Sequence, residues 1–147
     1  MLRDLRIRLA QPGDVSAVGA VLEQCGLAAD DIARLIEHFH VASLDGAVIG
    51  CAAGERFGGT VVVRSVAVMP AYREQGVATH LVRAVLMRAR SNGAQRAVLL
   101  TTSSPAHFAR YGFSLIPAQK LPPEVLDSKE FGRQTDTAPL YMCCELK

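Results

Sequence analysis

The sequence predicts an α/β domain of the α+β type, with a mixed central sheet of about six to seven strands and helices on both faces. Three observations carry this. Strand-like and helix-like segments follow the order β-α-α-β-β-β-α-β-α-β-β. Two-residue turns at Asp45-Gly46 and Gly58-Gly59 join three strands into an antiparallel meander. The amphipathic stretch Val77 to Ser91 then leads to an apolar run, a crossover that suits a parallel strand pair. Hairpins and a crossover in one chain make the sheet mixed.

The elements follow in order. Leu5 to Leu9 alternates charged and apolar residues and reads as a strand. Pro12-Gly13-Asp14 breaks it, and Asp14 is the expected N-cap of a helix carrying Val15, Val18, Val21 and Leu22. Gly26 stops that helix. Asp30 is the expected cap of a second helix, with Ile32, Leu35, Ile36 and Phe39. Strands are expected at His40 to Leu44, Ala47 to Phe57 and Thr60 to Met69, with Gly50 and Gly54 as weak points in the second. The helix Val77 to Ser91 places Val77, Leu81, Val85 and Ala89 on one line, and Gly93 ends it at C′. Ala97 to Thr101 is a buried strand. Pro105 opens a short helix from Ala106 to Tyr111, which Gly112 ends. Phe113 to Ile116 starts another strand. Pro117 to Pro139 is a long polar loop with a short helix expected at Pro123 to Glu130, and Leu140 to Leu146 is the last strand.

Composition narrows the function. The 147 residues suit one domain, 1–147, and half of them (50%) are hydrophobic. A net charge of +2 without a long basic run does not fit a nucleic-acid tail. No apolar run has membrane-spanning length, and the start MLRDLRIRLAQPGD lacks the apolar stretch of a signal peptide. The four cysteines show no C-x-x-C spacing, and adjacent Cys143 and Cys144 would face opposite sides of a strand. The expectation is a cytoplasmic protein with reduced thiols and no bound metal.

The stretch VAVMPAYREQGVATHLV, Val66 to Val82, carries the chemistry. A strand stops at a proline, a short bend follows, and a helix begins. The amides of Glu74, Gln75, Gly76, Val77, Ala78 and Thr79 belong to the bend and the first helical turn, at the positive end of the helix dipole. Gly76 presents no side chain to obstruct a ligand, and Arg73 adds a positive charge. Such a site suits a pyrophosphate. A Walker A loop and a G-x-G-x-x-G dinucleotide fingerprint are both absent.

Arg73-Glu74-Gln75-Gly76-Val77-Ala78 resembles the [Q/R]-x-x-G-x-[G/A] signature of the GCN5-related N-acetyltransferases, and the likeness covers nearly the whole chain. The resemblance implies acetyl-CoA as co-substrate. Its pyrophosphate would lie on the amides of Glu74 to Thr79, and Arg110 is a candidate for its adenosine phosphates. The pantetheine arm would run beside Val66, Ala67 and Val68, and the main-chain N–H near Val68 would polarise the thioester carbonyl. The acceptor amine would attack directly, without an acyl-enzyme. The resemblance also makes a homodimer a candidate assembly, with the last strand as its contact.

Two positions depart from the family pattern, and one of them is Thr101, where an asparagine is common. The usual tyrosine acid for the departing thiolate is replaced by Phe108, and Tyr111 lies three residues later. A thiolate can leave unaided, because a thiol pKa is not far above neutral. Glu55, the only carboxylate on an expected central strand, is a candidate base acting through water, against the favoured reading of a solvated strand end or an arginine partner. His107 is a further candidate near the cleft.

Leu-Leu-Thr-Thr (Leu99 to Thr102), His-Phe-Ala-Arg-Tyr-Gly-Phe (His107 to Phe113) and Lys129-Glu130-Phe131 resemble the ArsN-type arsenic-resistance acetyltransferases and the acetyltransferase domain of N-acetylglutamate synthases. That likeness implies a small anionic acceptor: an amino acid, or an arsenical or phosphinate analogue of one. Arg64 has two readings, a grip on the acceptor carboxylate or an ion pair with Glu55. Thr101, Thr102 and Ser103, at the end of a parallel strand, could bind the acceptor or cap the next helix. Lys120, Lys129 and Arg133 lie on the long loop, which is a candidate lid.

Overall fold

The computed structural model describes residues 4–101, 105–127 and 140–146. Among these residues the strands are β1 (Leu5–Leu9), β2 (Phe39–Leu44), β3 (Ala47–Phe57), β4 (Thr60–Val68), β5 (Arg96–Thr101), β6 (Ser114–Ile116) and β7 (Leu140–Glu145). The helices are α1 (Val15–Gln24), α2 (Ile32–Leu35), α3 (Val77–Ser91) and α4 (Pro105–Ala109). The strands form one mixed sheet in the order β1-β2-β3-β4-β5-β7-β6. The β4–β5 pair is parallel, as the crossover through α3 requires.

The chain divides into two compact units, residues 1–54 with 65–85 and residues 55–64 with 86–147. In the first, β1, β2 and β3 pair antiparallel. Asp45 (φ 51) and Gly46 (φ 85) both take positive φ, which makes the β2–β3 turn the tight type whose twist matches its strands. Ala42 pairs with Gly50 but Ser43 with Val48, so Ile49 is an extra residue on β3. Val18, Val21 and Leu22 of α1 pack with Ile32, Leu35, Phe39, Val41, Cys51 and Ala67 in a buried cluster. Gly26 ends α1 in a Schellman motif: the Leu27 N–H donates to Leu22 O at 2.9 Å and the Gly26 N–H to Glu23 O at 3.1 Å.

In the second unit β7 pairs antiparallel with both β5 and β6. Val62, Val98, Leu121 and Val125 form its buried cluster. Gly93 ends α3 by the same motif as Gly26, with the Ala94 N–H donating to Ala89 O at 2.9 Å.

Several expectations are corrected. Asp14 stands at the N-cap position of α1, as expected, but its side chain makes no capping bond to that helix. Its carboxylate accepts from Arg8 at 2.7 Å and from the Gln11 N–H at 2.7 Å, so it closes the preceding 3-10 turn. That turn already supplies the backbone geometry from which α1 continues. The second helix is shorter than expected. Asp31, not Asp30, stands at its N-cap, and after Leu35 it tightens to a 3-10 turn over Ile36–His38. Phe39 is therefore the first residue of β2, fully buried against α1, because the sheet offers an aromatic ring more cover than a last helical turn. The segment at Pro123 is a 3-10 turn, Pro123–Asp127, and the expected continuation to Glu130 lies outside the described residues.

Candidate functional site

The site begins with the backbone of β4. Ser65 takes φ 56, so the regular alternation of strand side chains is interrupted there. The Ser65 carbonyl accepts from the Cys51 thiol at 3.5 Å. Burial pushes that thiol up to about 12, with Cys25 adding to the effect, so it stays protonated.

The end of β4 is held from three sides. The Met69 N–H donates to Ile49 O at 2.8 Å. The Arg73 Nε donates to Val68 O at 2.9 Å. The Cys25 thiol reaches the same oxygen at 3.5 Å, and an Arg73 terminal nitrogen lies 3.4 Å from Cys25 Sγ. Gly50 allows a close approach, since a Cβ there would stand 3.0 Å from Ala67 O and 3.2 Å from Leu81 Cδ1.

A 3-10 turn, Pro70–Tyr72, then turns the chain away from the strand. Glu74 (φ 65) and Gly76 (φ 86) both take positive φ, which curls the bend. The first helical bond of α3 runs from the His80 N–H to Gly76 O at 3.1 Å. The amides of Val77 and Ala78 therefore precede the helical ladder. A Cβ on Gly76 would meet nothing within 4 Å, so the space above the bend is open. Glu74, Gln75 and Gly76 are exposed. The arrangement offers a positive helix end, small residues and room: the features of an anion cradle.

Val66, Ala67, Val68 and Glu74 to Thr79 are thus consecutive walls of one strand–bend–helix unit. Arg73 joins them through its side chain, which is spent on the strand end. Sequence reasoning missed Cys25 and Ile49 as supports and read Gly50 only as a weak point. A glycine inside a strand was the available signal, because it marks a bulge or a close backbone approach, and both occur here.

The other candidates belong to the second unit. Arg64 is an ion-pair partner of Glu55: its guanidinium donates to Glu55 Oε1 at 3.2 Å, with side-chain exposures of 2% and 12%. Thr101 is buried at the end of β5. Thr102 and Ser103 lie outside the described residues, as do Lys129 and Arg133. Arg110 is exposed beyond α4. Phe108 stands edge-on to His107 at 5.0 Å between ring centroids and to Phe113 at 6.4 Å. Burial, aided by Arg110, lowers the His107 pKa, so its imidazole is neutral near pH 7. Among the described residues no group of three His, Cys, Asp or Glu is placed to hold a metal, and no helix is long and apolar enough to cross a membrane.

Comparison with known proteins gives a consistent result. The acetyltransferase (GNAT) family model matches residues 14–113. The amino-acid acetyltransferase of Mannheimia succiniciproducens is 29% identical over 140 residues, which is 90% of this chain and 32% of the relative. N-acetylglutamate synthase from Neisseria gonorrhoeae, solved with coenzyme A and N-acetyl-glutamate, superposes with a TM-score of 0.84 at 23% identity over 97% of this chain and 35% of that one. Rv2747 from Mycobacterium tuberculosis, solved with CoA and a second ligand, superposes with a TM-score of 0.80 at 26% identity over 97% of this chain and 99% of that one. The chain spans about a third of the length of the first two relatives.

Proposed function

The chain belongs to the GNAT family of acetyltransferases, and from that premise we propose that it moves the acetyl group of acetyl-CoA to the amine of a small amino-acid acceptor. The observation that carries the reading is the unit from Val66 to Thr79, where a strand with an interrupted pleat runs into an open, glycine-containing helix start. The residues fit the co-substrate. Glu74 to Thr79 would hold its pyrophosphate on main-chain amides, and Val66 to Val68 would line its pantetheine arm. Bound acetyl-CoA supplies an activated acyl group. The chain supplies position, and the Val68 main chain supplies a donor for the thioester oxygen.

The acceptor reading rests on the amino-acid acetyltransferase likeness and on the resemblance to ArsN-type enzymes. An acidic amino acid, or its arsenical or phosphinate analogue, is the preferred acceptor. Arg64 is less available for this role than the sequence allowed, because Glu55 already neutralises it. Glu55 in turn is a salt-bridge carboxylate, which weakens its case as a base. Direct attack needs only a neutral amine, and the thiolate leaves without an acid from Phe108.

A thiol-release assay with acetyl-CoA tests the reading. The acceptors would be the proteinogenic amino acids, phosphinothricin, its arsenical counterpart, polyamines and a lysine peptide. Thiol release with an acidic amino acid or analogue is the expected result. Release only with polyamines or the peptide would overturn the acceptor class, and no acetyl-CoA binding at all would overturn the activity.

A further inference from the structure

We propose that Arg73 is a positioning residue whose working part is the Nε–H, not the positive charge. It locks the peptide plane between Val68 and Met69, and so aims the amide that faces the thioester. This rests on the acetyl-CoA reading above.

The two bonds concerned lie on one peptide unit. The carbonyl oxygen of Val68 accepts from Arg73 Nε at 2.9 Å. The N–H of Met69, in the same plane, donates to Ile49 O at 2.8 Å. A peptide unit is planar, so bonds at its two opposite edges fix its rotation. Once that plane is fixed, only the two dihedrals of Val68 orient the preceding plane, which carries the Val68 N–H. Cys25 strengthens the lock, since its thiol reaches Val68 O at 3.5 Å and its sulfur lies 3.4 Å from an Arg73 terminal nitrogen. The guanidinium is thereby turned toward the strand end.

The geometry makes a chemical demand that charge does not. In Arg, Nε stands four bonds from Cα. In Gln, the amide nitrogen stands at the same position and also donates. In Lys that position is a methylene, and the ammonium lies one bond further out. A site that needs a donor at this atom accepts Arg or Gln and rejects Lys. A site that needs a cation for the pyrophosphate accepts Arg or Lys and rejects Gln.

The test compares Arg73→Gln, Arg73→Lys and Arg73→Met with the wild type. Three quantities are read: amide hydrogen exchange over residues 66–73 in the unliganded protein, acetyl-CoA affinity by calorimetry, and kcat with an accepted amine. The Gln variant should keep wild-type amide exchange over residues 66–73. The Lys and Met variants should exchange about tenfold faster at Met69, the scale of one net hydrogen bond, and lose kcat more than acetyl-CoA affinity. Lys matching the wild type while Gln fails would overturn the proposal, and so would Met matching the wild type. Melting temperatures identify a variant that merely fails to fold. If the wild type binds no acetyl-CoA, the functional reading fails, and the exchange ranking in the unliganded protein still decides whether Arg73 locks the peptide.

Discussion

Arg64 and Glu55 hold each other at 3.2 Å in a place where water scarcely reaches the guanidinium. Removing one partner of such a pair costs more than removing both, because the remaining charge has been taken out of water. Glu55→Ala should destabilise the protein by about 3 kcal/mol. The double variant Glu55→Leu, Arg64→Met should recover most of that loss in a urea titration. Acceptor KM in the double variant then separates the two roles. An unchanged KM leaves Arg64 a structural residue, and a sharply raised KM with acetyl-CoA affinity intact returns it to the acceptor.

Gly76 gives a test in which stability and affinity part company. Its φ of 86 penalises any side chain, yet a Cβ there would touch no protein atom. Gly76→Ala should therefore cost only about 1–2 kcal/mol of stability, the price of a left-handed residue. If a pyrophosphate approaches the bend closely, acetyl-CoA affinity should fall by more than that strain explains. Calorimetry beside a melting curve measures both, and an unchanged affinity would remove Gly76 from the cradle.

Gly50 acts by contact rather than by conformation. A Cβ would press on Ala67 O at 3.0 Å and on Leu81 Cδ1 at 3.2 Å. Gly50→Ala should cost about 2 kcal/mol, as overpacking does, and should raise the acetyl-CoA KM by shifting β4. Steady-state kinetics with varied acetyl-CoA would show it, and a variant of native KM and stability would mean that β3 and β4 adjust freely at this point.

Cys51 makes alkaline stability a readout of the same region. Its folded pKa, about 12, lies above the unfolded value of about 8.5. A raised pKa gives stability that is complete below the unfolded value and is lost as pH rises toward the folded one. Between about pH 8.5 and pH 10 this thiol should remove on the order of 1 kcal/mol per pH unit. Urea midpoints against pH should fall less steeply for Cys51→Ala. Parallel curves would mean that the thiol titrates alike in both states.

The fold was legible where pattern and punctuation agreed. The Asp45-Gly46 turn, the helix Val77–Ser91 and its Gly93 end follow from short-range rules, and the structure repeats their boundaries. The failures occurred where tertiary contact decided. Phe39 fits the helical spacing of Ile32 and Leu35, but it belongs to β2, and no local rule distinguishes the two. Asp14 has the composition of a helix cap, yet Arg8, six residues earlier, claims its carboxylate. The strand–bend–helix unit from Val66 to Thr79 was visible because it is one continuous stretch of sequence. Its supports were not, because Cys25 and Ile49 reach Val68 and Met69 from distant parts of the chain.

Gly112 and Cys144 have a consequence for how this sequence can change over time. Gly112 takes φ 94, and a Cβ there would stand 3.3 Å from Cys144 Sγ. The thiol itself donates to Tyr111 O at 3.7 Å. The turn after α4 and the last strand therefore cannot drift independently. The φ of residue 112 holds it to glycine whatever stands at 144, and a larger residue 144 would press on the backbone of the turn. In an alignment of descendants position 112 should stay glycine and position 144 should stay small, although one reads as turn punctuation and the other as an ordinary strand residue.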